Sequence, residues 1–213
     1  MTIKNEIDNL KTQVLRMSEI CIQNINDAIN FYLGKESHIQ EINDDLVDRF
    51  ERLIEEMCVN ILLRERLYAS DLKEVTGILK LVSDLERIGD HALDIYEFSL
   101  KLEPYKDLKL DEIEGLSLFV VKMIENSIKA YVNKDYELAE KVIKDDDYVD
   151  EKYAEIIDKL SKNEYSIDGK CLPFAIYTTL VVKYLERIAD HSVNISEWVV
   201  YISNGFYKDK KIF

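Results

Sequence analysis

The sequence predicts an all-α protein made of two tandem three-helix bundles related by internal duplication. Residues 85–97 and 185–197 read LERIGDHALDIYE and LERIADHSVNISE, lie 100 positions apart and agree at eight of thirteen positions. An internal repeat of this kind sets the architecture. Glycine and proline are also scarce, at 6 and 2 residues in a chain of 213, so the chain has few of the turns that an all-β fold needs.

Six helical segments follow in order from the hydrophobic periodicity and the helix breakers. Gly34 is expected to end the first helix, and Ser70 and Asp71 are expected to cap the third. Pro173 fits the first turn of the sixth helix, and Gly205 fits its end. The predicted segments are residues 3–33, 37–67, 70–102, 110–132, 136–161 and 172–203.

The repeat divides the chain into two halves. The long repeated segment falls on the third helix of each half, and a fainter one, NDDLVD at 43–48 and DDDYVD at 145–150, falls on the second. Short connections within each half imply antiparallel neighbouring helices. We therefore expect a first three-helix bundle over residues 1–105 and a second over residues 106–213.

Composition narrows the class of ligand and the compartment. A net charge of −14 argues against nucleic acid as the main ligand, because phosphate binding needs a basic stripe, whereas it suits cation binding or simple solubility. The 3 cysteines are scattered without a Cys-x-x-Cys pair, which indicates a reducing compartment. No apolar stretch approaches the roughly 20 residues of a membrane span, and the N-terminus is not a signal peptide. We expect a cytoplasmic protein without direct membrane insertion.

Acidic side chains recur at helical spacing on the third and sixth helices. At about 100° per residue the acids of the third helix form one stripe, opposite the apolar stripe. The sixth helix repeats this stripe with an asparagine in one place. The stripes consist of Glu86, Asp90, Asp94 and Glu97 in the first half and Glu186, Asp190, Asn194 and Glu197 in the second.

Partner carboxylates occur on the second helix of each half. Asp44 and Asp48 lie on an acidic face, whereas Asp146 and Asp150 lie beside the apolar face of their helix. One acidic stripe is ordinarily a solvated helix surface. However, like charges at i,i+4 destabilise a helix by a few tenths of a kcal/mol, roughly, and this chain repeats them in both halves. The repetition favours convergence of the carboxylates on a cation, and oxygen ligands suit Mg, Ca, Mn and carboxylate-bridged iron.

Other charged groups carry weaker signals. His91 and His191 lie at the edge of the stripes, where a surface hydrogen-bonding role is more frequent than metal ligation. Arg87 and Arg187 are expected to pair with neighbouring acids, with a phosphate contact as the alternative. The basic tail at 208–213 is expected to be solvated. We predict no enzyme, because the chain has no Glu-x-x-His pair at either histidine, no glycine-rich phosphate loop and no Gly-x-Ser-x-Gly or His-Glu-x-x-His motif.

The Glu-Arg-Ile-(Gly/Ala)-Asp signature in both halves, the ASDL sequence at 69–72 and the four carboxylate pairs resemble the PhoU family of phosphate-transport regulators over nearly the whole chain. The resemblance implies a PhoU-like pair of bundles. It also implies multinuclear transition-metal clusters on their acidic faces, iron first, with zinc, manganese or nickel as alternatives. The implied ligands are Asp44, Asp48, Glu86 and Asp90 in the first half and Asp146, Asp150, Glu186 and Asp190 in the second.

The resemblance further implies a role in restraining phosphate uptake and phosphate-starvation signalling. The implied partners are the ATPase of the phosphate ABC transporter and a sensor histidine kinase, and a homodimer is expected. Two alternatives stay open on the residues alone. A metal-dependent phosphohydrolase would turn over phosphoesters only with metal present, and a metal-free acidic docking module would bind a basic partner in a salt-sensitive manner.

Overall fold

The computed structural model describes residues 2–35, 42, 44–64, 67–105, 107–108, 110–162, 172–208 and 210–211. Its α-helices are α1 (Ile3–Tyr32), α2 (Asp44–Leu62), α3 (Ala69–Leu102), α4 (Asp111–Asn133), α5 (Tyr136–Ser161) and α6 (Leu172–Asn204). A 3₁₀ turn, Glu103–Tyr105, follows α3, and α6 leads into a hairpin of β1 (Phe206–Tyr207) and β2 (Lys210–Lys211). The predicted all-α class and its doubled three-helix order are confirmed.

Glycine ends two helices where the sequence predicted it. Gly34 and Gly205 have φ angles of 68° and 84°, a region of backbone conformation that favours glycine. The Gly34 amide donates to the Phe31 carbonyl at 2.9 Å, and the Gly205 amide donates to the Tyr201 carbonyl at 2.7 Å. Both amides therefore satisfy carbonyls that the helix end leaves free.

The second predicted helix was too long at its C-terminal end. The helix ends at Leu62 instead of Leu67. The chain turns there, because the Arg64 amide donates to the Ile61 carbonyl at 3.2 Å in a tighter, three-residue step. The predicted start at Ser37 lies outside the described residues.

The predicted caps of α3 were also wrong. The helix begins at Ala69, and Tyr68 is the N-cap residue without a side-chain hydrogen bond to the helix. Ser70 and Asp71 lie within the first turn instead. The Asp71 charge suits this position, because the amide end of a helix attracts negative charge.

The halves pack as two bundles that share a core. α1, α2 and α3 contact one another, as do α4, α5 and α6, and the most extensive contact of all joins α3 to α6. α1 also contacts α4. The buried apolar side chains of both halves form a single cluster, so the interface between the bundles is part of the core.

α3 and α6 run antiparallel about a local two-fold axis. The equivalent residues His91 and His191 lie side by side, with ring centroids 5.5 Å apart. Farther along α3, Phe98 stacks at 5.9 Å on Tyr184, which precedes His191 on α6. The duplicated sequence is thus expressed as a pseudo-symmetric pair of long helices.

Two further expectations concern cysteines and membranes. Cys21 and Cys58 are buried free thiols, and Cys171 lies outside the described residues. Among the helices of the described ranges, none combines the length and apolar content needed to cross a membrane.

Candidate metal sites

A glycine lets α2 approach α3 closely in the first half. Gly89 is buried on α3, and a Cβ atom built there would lie 3.0 Å from Val47 Cγ1 on α2. Asp44 and Asp48 flank Val47 along α2, and Asp90 follows Gly89 on α3. The close approach of the two helices therefore brings acids of both toward one another.

Three of the four acids predicted for the first site converge. Asp44, Asp48 and Asp90 each present a carboxylate oxygen within 4.8 Å of the other two, and all three side chains are half-buried. Asp44 Oδ1 is buried without a hydrogen-bond partner. The fourth predicted residue, Glu86, is half-buried one helical turn before Asp90 and outside this group of three.

Burial and mutual repulsion disfavour the ionised form of the acids at this first site. Burial, followed by the charges of Asp90 and Asp48, raises the pKa of Asp44. Burial, followed by the charge of Asp90, raises the pKa of Glu86 to about 7, although the Arg87 guanidinium opposes the shift.

The predicted pairing of Arg87 with neighbouring acids is confirmed. Its guanidinium lies 2.9 Å from Asp90 Oδ2 and 3.4 Å from Glu86 Oε2. Arg52 also lies 3.8 Å from Asp48 Oδ2, and because both guanidiniums are mostly exposed they offset only part of the charge of the four carboxylates. The first site consequently retains a deficit of positive charge.

The second half repeats this arrangement more loosely. Asp146 Oδ1 is buried without a hydrogen-bond partner, at the position equivalent to Asp44. Burial, followed by the charges of Asp190 and Asp150, raises the pKa of Asp146 to about 6. Asp150 and Asp190 are exposed, and in the part of the chain that the structure describes no three second-half acids converge as the first-half acids do.

One physical observation supports the fit of these residues to a bound cation. A buried oxygen without a partner costs about 1–3 kcal/mol, and the same atom is orphaned at equivalent positions, Asp44 and Asp146, of both halves. A cation would satisfy these oxygens and remove the repulsion between the acids. All donors are carboxylate oxygens, which suit hard divalent ions and carboxylate-bridged iron. The assignment of all eight acids as ligands stays a prediction.

The two histidines lie where α3 meets α6, with His91 buried and His191 half-buried. His91 is 7% exposed and packs against the Tyr184 ring at 5.2 Å, so its predicted surface position was wrong. The hydrogen-bonding role was right: His91 Nδ1 lies 3.3 Å from Asp94 Oδ2, and His191 Nδ1 lies 2.9 Å from Asp84 Oδ1. The position was missed because α6 covers this side of α3, which the periodicity of one helix does not reveal.

Other residues at the sites were not singled out from the sequence. In the first half Glu51 contributes to the raised pKa of Glu86, and burial, followed by the charge of Glu55, raises the pKa of Glu51 itself, although Ser83 opposes that shift. In the second half Lys183 Nζ donates to Glu186 Oε2 at 2.5 Å. Aligning the halves position by position would have shown that Lys183 replaces Ser83 beside a repeated Glu.

Comparisons with known proteins agree with this architecture. The PhoU domain matches the chain twice, at residues 14–99 and 113–199. A phosphate-specific transport system accessory protein PhoU homolog from Clostridium acetobutylicum is 31% identical over 95% of this chain and 94% of the relative.

Two crystal structures are similar to the whole chain. PhoU from Pseudomonas aeruginosa has a TM-score of 0.89 at 29% identity and covers 96% of this chain and 100% of its own. The phosphate transport system regulatory protein PhoU from Streptococcus pneumoniae has the same fold, with a TM-score of 0.81 at 22% identity over 98% of this chain and 100% of its own. With two domain matches, a relative of nearly the same extent and the duplicated acidic helices, the chain belongs to the PhoU family.

Proposed function

We propose that this protein is a metal-binding regulator of phosphate uptake and phosphate-starvation signalling. It acts as a cytoplasmic, homodimeric adaptor to the ATPase of the phosphate ABC transporter and to a sensor histidine kinase, and it is not an enzyme. Support for the phosphate role comes from the relatives, since the Clostridium acetobutylicum protein is named as an accessory protein of phosphate-specific transport.

The metal-binding part of the proposal is supported by two buried oxygens without a hydrogen-bond partner, Asp44 Oδ1 and Asp146 Oδ1, at equivalent positions of the two halves. Each lies among acids whose ionisation is disfavoured by burial and by neighbouring negative charges, so a positive charge would be stabilised in each half. The residues that would hold metal are Asp44, Asp48, Glu86 and Asp90 in the first half and Asp146, Asp150, Glu186 and Asp190 in the second. The metals would be clustered transition-metal ions, iron first.

Bound cations would supply positive charge between neighbouring helices and a coordination position for an anionic oxygen ligand. The protein's own contribution is to hold the acids of α2 and α3, and of α5 and α6, on facing surfaces. Cross-linking these helices would stiffen the acidic faces that a partner protein meets. This is how metal loading would be coupled to adaptor function.

Elemental mass spectrometry tests the metal sites. Protein purified without chelators or a metal-affinity column should carry several transition-metal ions per chain. The paired variants Glu86→Gln/Asp90→Asn and Glu186→Gln/Asp190→Asn should each lose the metal of their own half. Asp45→Asn, an exposed acid beside Asp44, is the matched control and should keep the wild-type content. Protein that stays metal-free after reconstitution with iron, zinc or manganese would contradict the proposal.

The regulatory role needs a test in cells. A strain that carries the protein with both paired substitutions should take up phosphate without restraint when phosphate is plentiful, whereas a strain with Asp45→Asn should behave as wild type. The wild-type protein should capture the transporter ATPase in a pull-down, and the metal-loaded protein should not hydrolyse a phosphoester. Metal-dependent turnover would favour the hydrolase instead.

A further inference from the structure

We propose that the two carboxylate sets are unequal cation sites: the first takes divalent metal preferentially, and the second holds Lys183 as a resident cation that metal must displace. The inference rests on the proposed metal-binding function. It concerns residues outside the eight predicted ligands, and two independent differences between the halves support it.

The first difference is a lysine inside the second acidic set. Lys183 Nζ lies 2.5 Å from Glu186 Oε2, and it also lies 5.3 Å from the centre of the Tyr153 ring. An ammonium group over an aromatic face is favourably placed, so two contacts hold Lys183 beside a predicted ligand. A metal ion that binds Glu186 would compete with this ammonium for the same oxygen.

The first half has the opposite chemistry at the equivalent positions. Ser83 stands where the second half has Lys183, and Glu51 stands where it has Tyr153. Glu51 is half-buried, and its negative charge adds to burial and to the charge of Asp90 in raising the pKa of Glu86. At these two positions the first set has one more negative and one fewer positive charge than the second, and the mostly exposed guanidiniums of Arg87, 2.9 Å from Asp90, and Arg52, 3.8 Å from Asp48, offset part of that difference.

The second difference is the spacing of the helices. Gly89 permits the close approach of α2 to α3, and the equivalent residue on α6 is Ala189. The first set already places three carboxylate oxygens within 4.8 Å of one another, a convergence found only there among the described residues. Ligands that are placed in advance lose less freedom on binding, so this geometry favours the first site.

A titration with Mn²⁺, with free ion counted by electron paramagnetic resonance, tests the inference on the full chain. Each site is measured with the other disabled by its paired Gln/Asn substitutions. The first site should bind Mn²⁺ at least about tenfold more tightly than the second. Lys183→Ser should then tighten the second site by about tenfold, whereas Lys152→Ser, a partly buried lysine that pairs with Glu155 on α5, should leave it unchanged.

The reciprocal exchange completes the design. Ser83→Lys with Glu51→Tyr should weaken the first site toward the affinity of the second, and circular dichroism checks that each variant is folded. Equal affinities in the two halves that Lys183→Ser does not change would overturn this inference and leave the proposed function standing. A wild-type protein that binds no Mn²⁺, iron or zinc in either half would overturn both.

Discussion

At the scale of single residues, Glu86 is a carboxyl whose ionisation the fold opposes. Its pKa rises from an ordinary 4.5 to about 7, first because of burial and then because of Asp90. Between these pH values the folded state binds more protons than the unfolded state, so stability falls as pH rises through this window. In chelator, the metal-free protein should therefore lose stability from pH 4.5 to 7, with Glu86 contributing about 1 kcal/mol after allowance for solvent screening.

Urea denaturation across this pH range measures the effect. Glu86→Gln should flatten the decline in stability, because the amide does not titrate. Glu112 provides a control of opposite sign, since a hydrogen bond from Lys159 lowers its pKa. The stability that Glu112 contributes is present above its ordinary pKa and is lost on acidification, so Glu112→Gln should act at the acidic end only. Parallel profiles for wild type and Glu86→Gln would contradict the assigned shift.

The positions of the acids could be predicted from the sequence, whereas the contacts that surround them could not. The spacing of Asp44, Asp48 and Asp90 on helices sufficed to place them on facing surfaces, and the structure brings them together. His91 was misplaced because its burial depends on Tyr184, 93 positions away in the chain. A contact that joins distant segments leaves no periodic signal in the helix that carries either residue.

At the scale of helices, Gly89 controls the distance between α2 and α3. An alanine at this position would favour the helix intrinsically by about 1 kcal/mol, but its Cβ would lie 3.0 Å from Val47 Cγ1. Gly89→Ala should therefore change stability by less than about 1 kcal/mol while it separates the helices and weakens Mn²⁺ binding at the first site. Thermal unfolding and the Mn²⁺ titration measure the two effects.

Gly115 provides the matched control for this substitution. A Cβ at Gly115 on α4 would meet nothing within 4 Å, so Gly115→Ala should stabilise the protein and leave Mn²⁺ binding unchanged. Undiminished Mn²⁺ affinity in Gly89→Ala would show that the helix spacing does not position the acids.

The C-terminal hairpin is the element that the sequence did not predict. The basic tail was expected to be solvated, yet Tyr207 stacks on Trp198 with ring centroids 3.9 Å apart, and the Lys208 amide donates to Glu197 Oε2 at 2.9 Å. Residues 209 and 212–213 lie outside the described residues. Helices and their glycine stops could be read from local signals, whereas two-residue strands carry too little pattern to be recognised.

Removing the stacked ring should loosen this hairpin. Tyr207→Ala should destabilise the protein by about 1 kcal/mol and shift the fluorescence of Trp198, the only tryptophan of the chain, to longer wavelength as water reaches it. Tyr68→Ala removes a ring that is 79% exposed and should change neither quantity. Unaltered fluorescence in Tyr207→Ala would argue against the stacking.

At the scale of the whole molecule, the duplication predicted two bundles, and the structure joins them through a common core. The domain boundary near residue 105 stays a prediction. The common core means that the halves are not expected to fold as two independent domains, because α3 and α6 bury apolar residues against each other. The sequence of either half shows an apolar stripe, but only the assembled pair shows that the stripes of α3 and α6 meet.

Glu74 links the two halves by charge within this shared core. It is 7% exposed on α3, and its carboxylate lies 2.7 Å from Lys11 Nζ on α1 and 3.2 Å from Lys134 Nζ after α4. The Lys134 contact is a hydrogen bond, whereas the Lys11 contact lacks hydrogen-bond geometry and is a close ion pair. One buried carboxylate thus pairs with a lysine from each half.

Cooperative unfolding of both halves follows from this arrangement. Glu74→Ala should lower the free energy of unfolding by about 1–2 kcal/mol, since both lysines can regain water. The urea midpoints seen by Trp198 fluorescence in the second half and by circular dichroism of all helices should shift together, because a shared core transmits the loss. Glu114→Ala breaks an ion pair with Lys35 that also joins the halves but is about half exposed, and it should cost less than about 1 kcal/mol. If Glu74→Ala moved the circular dichroism midpoint and left that of Trp198 in place, the halves would be folding as separate domains.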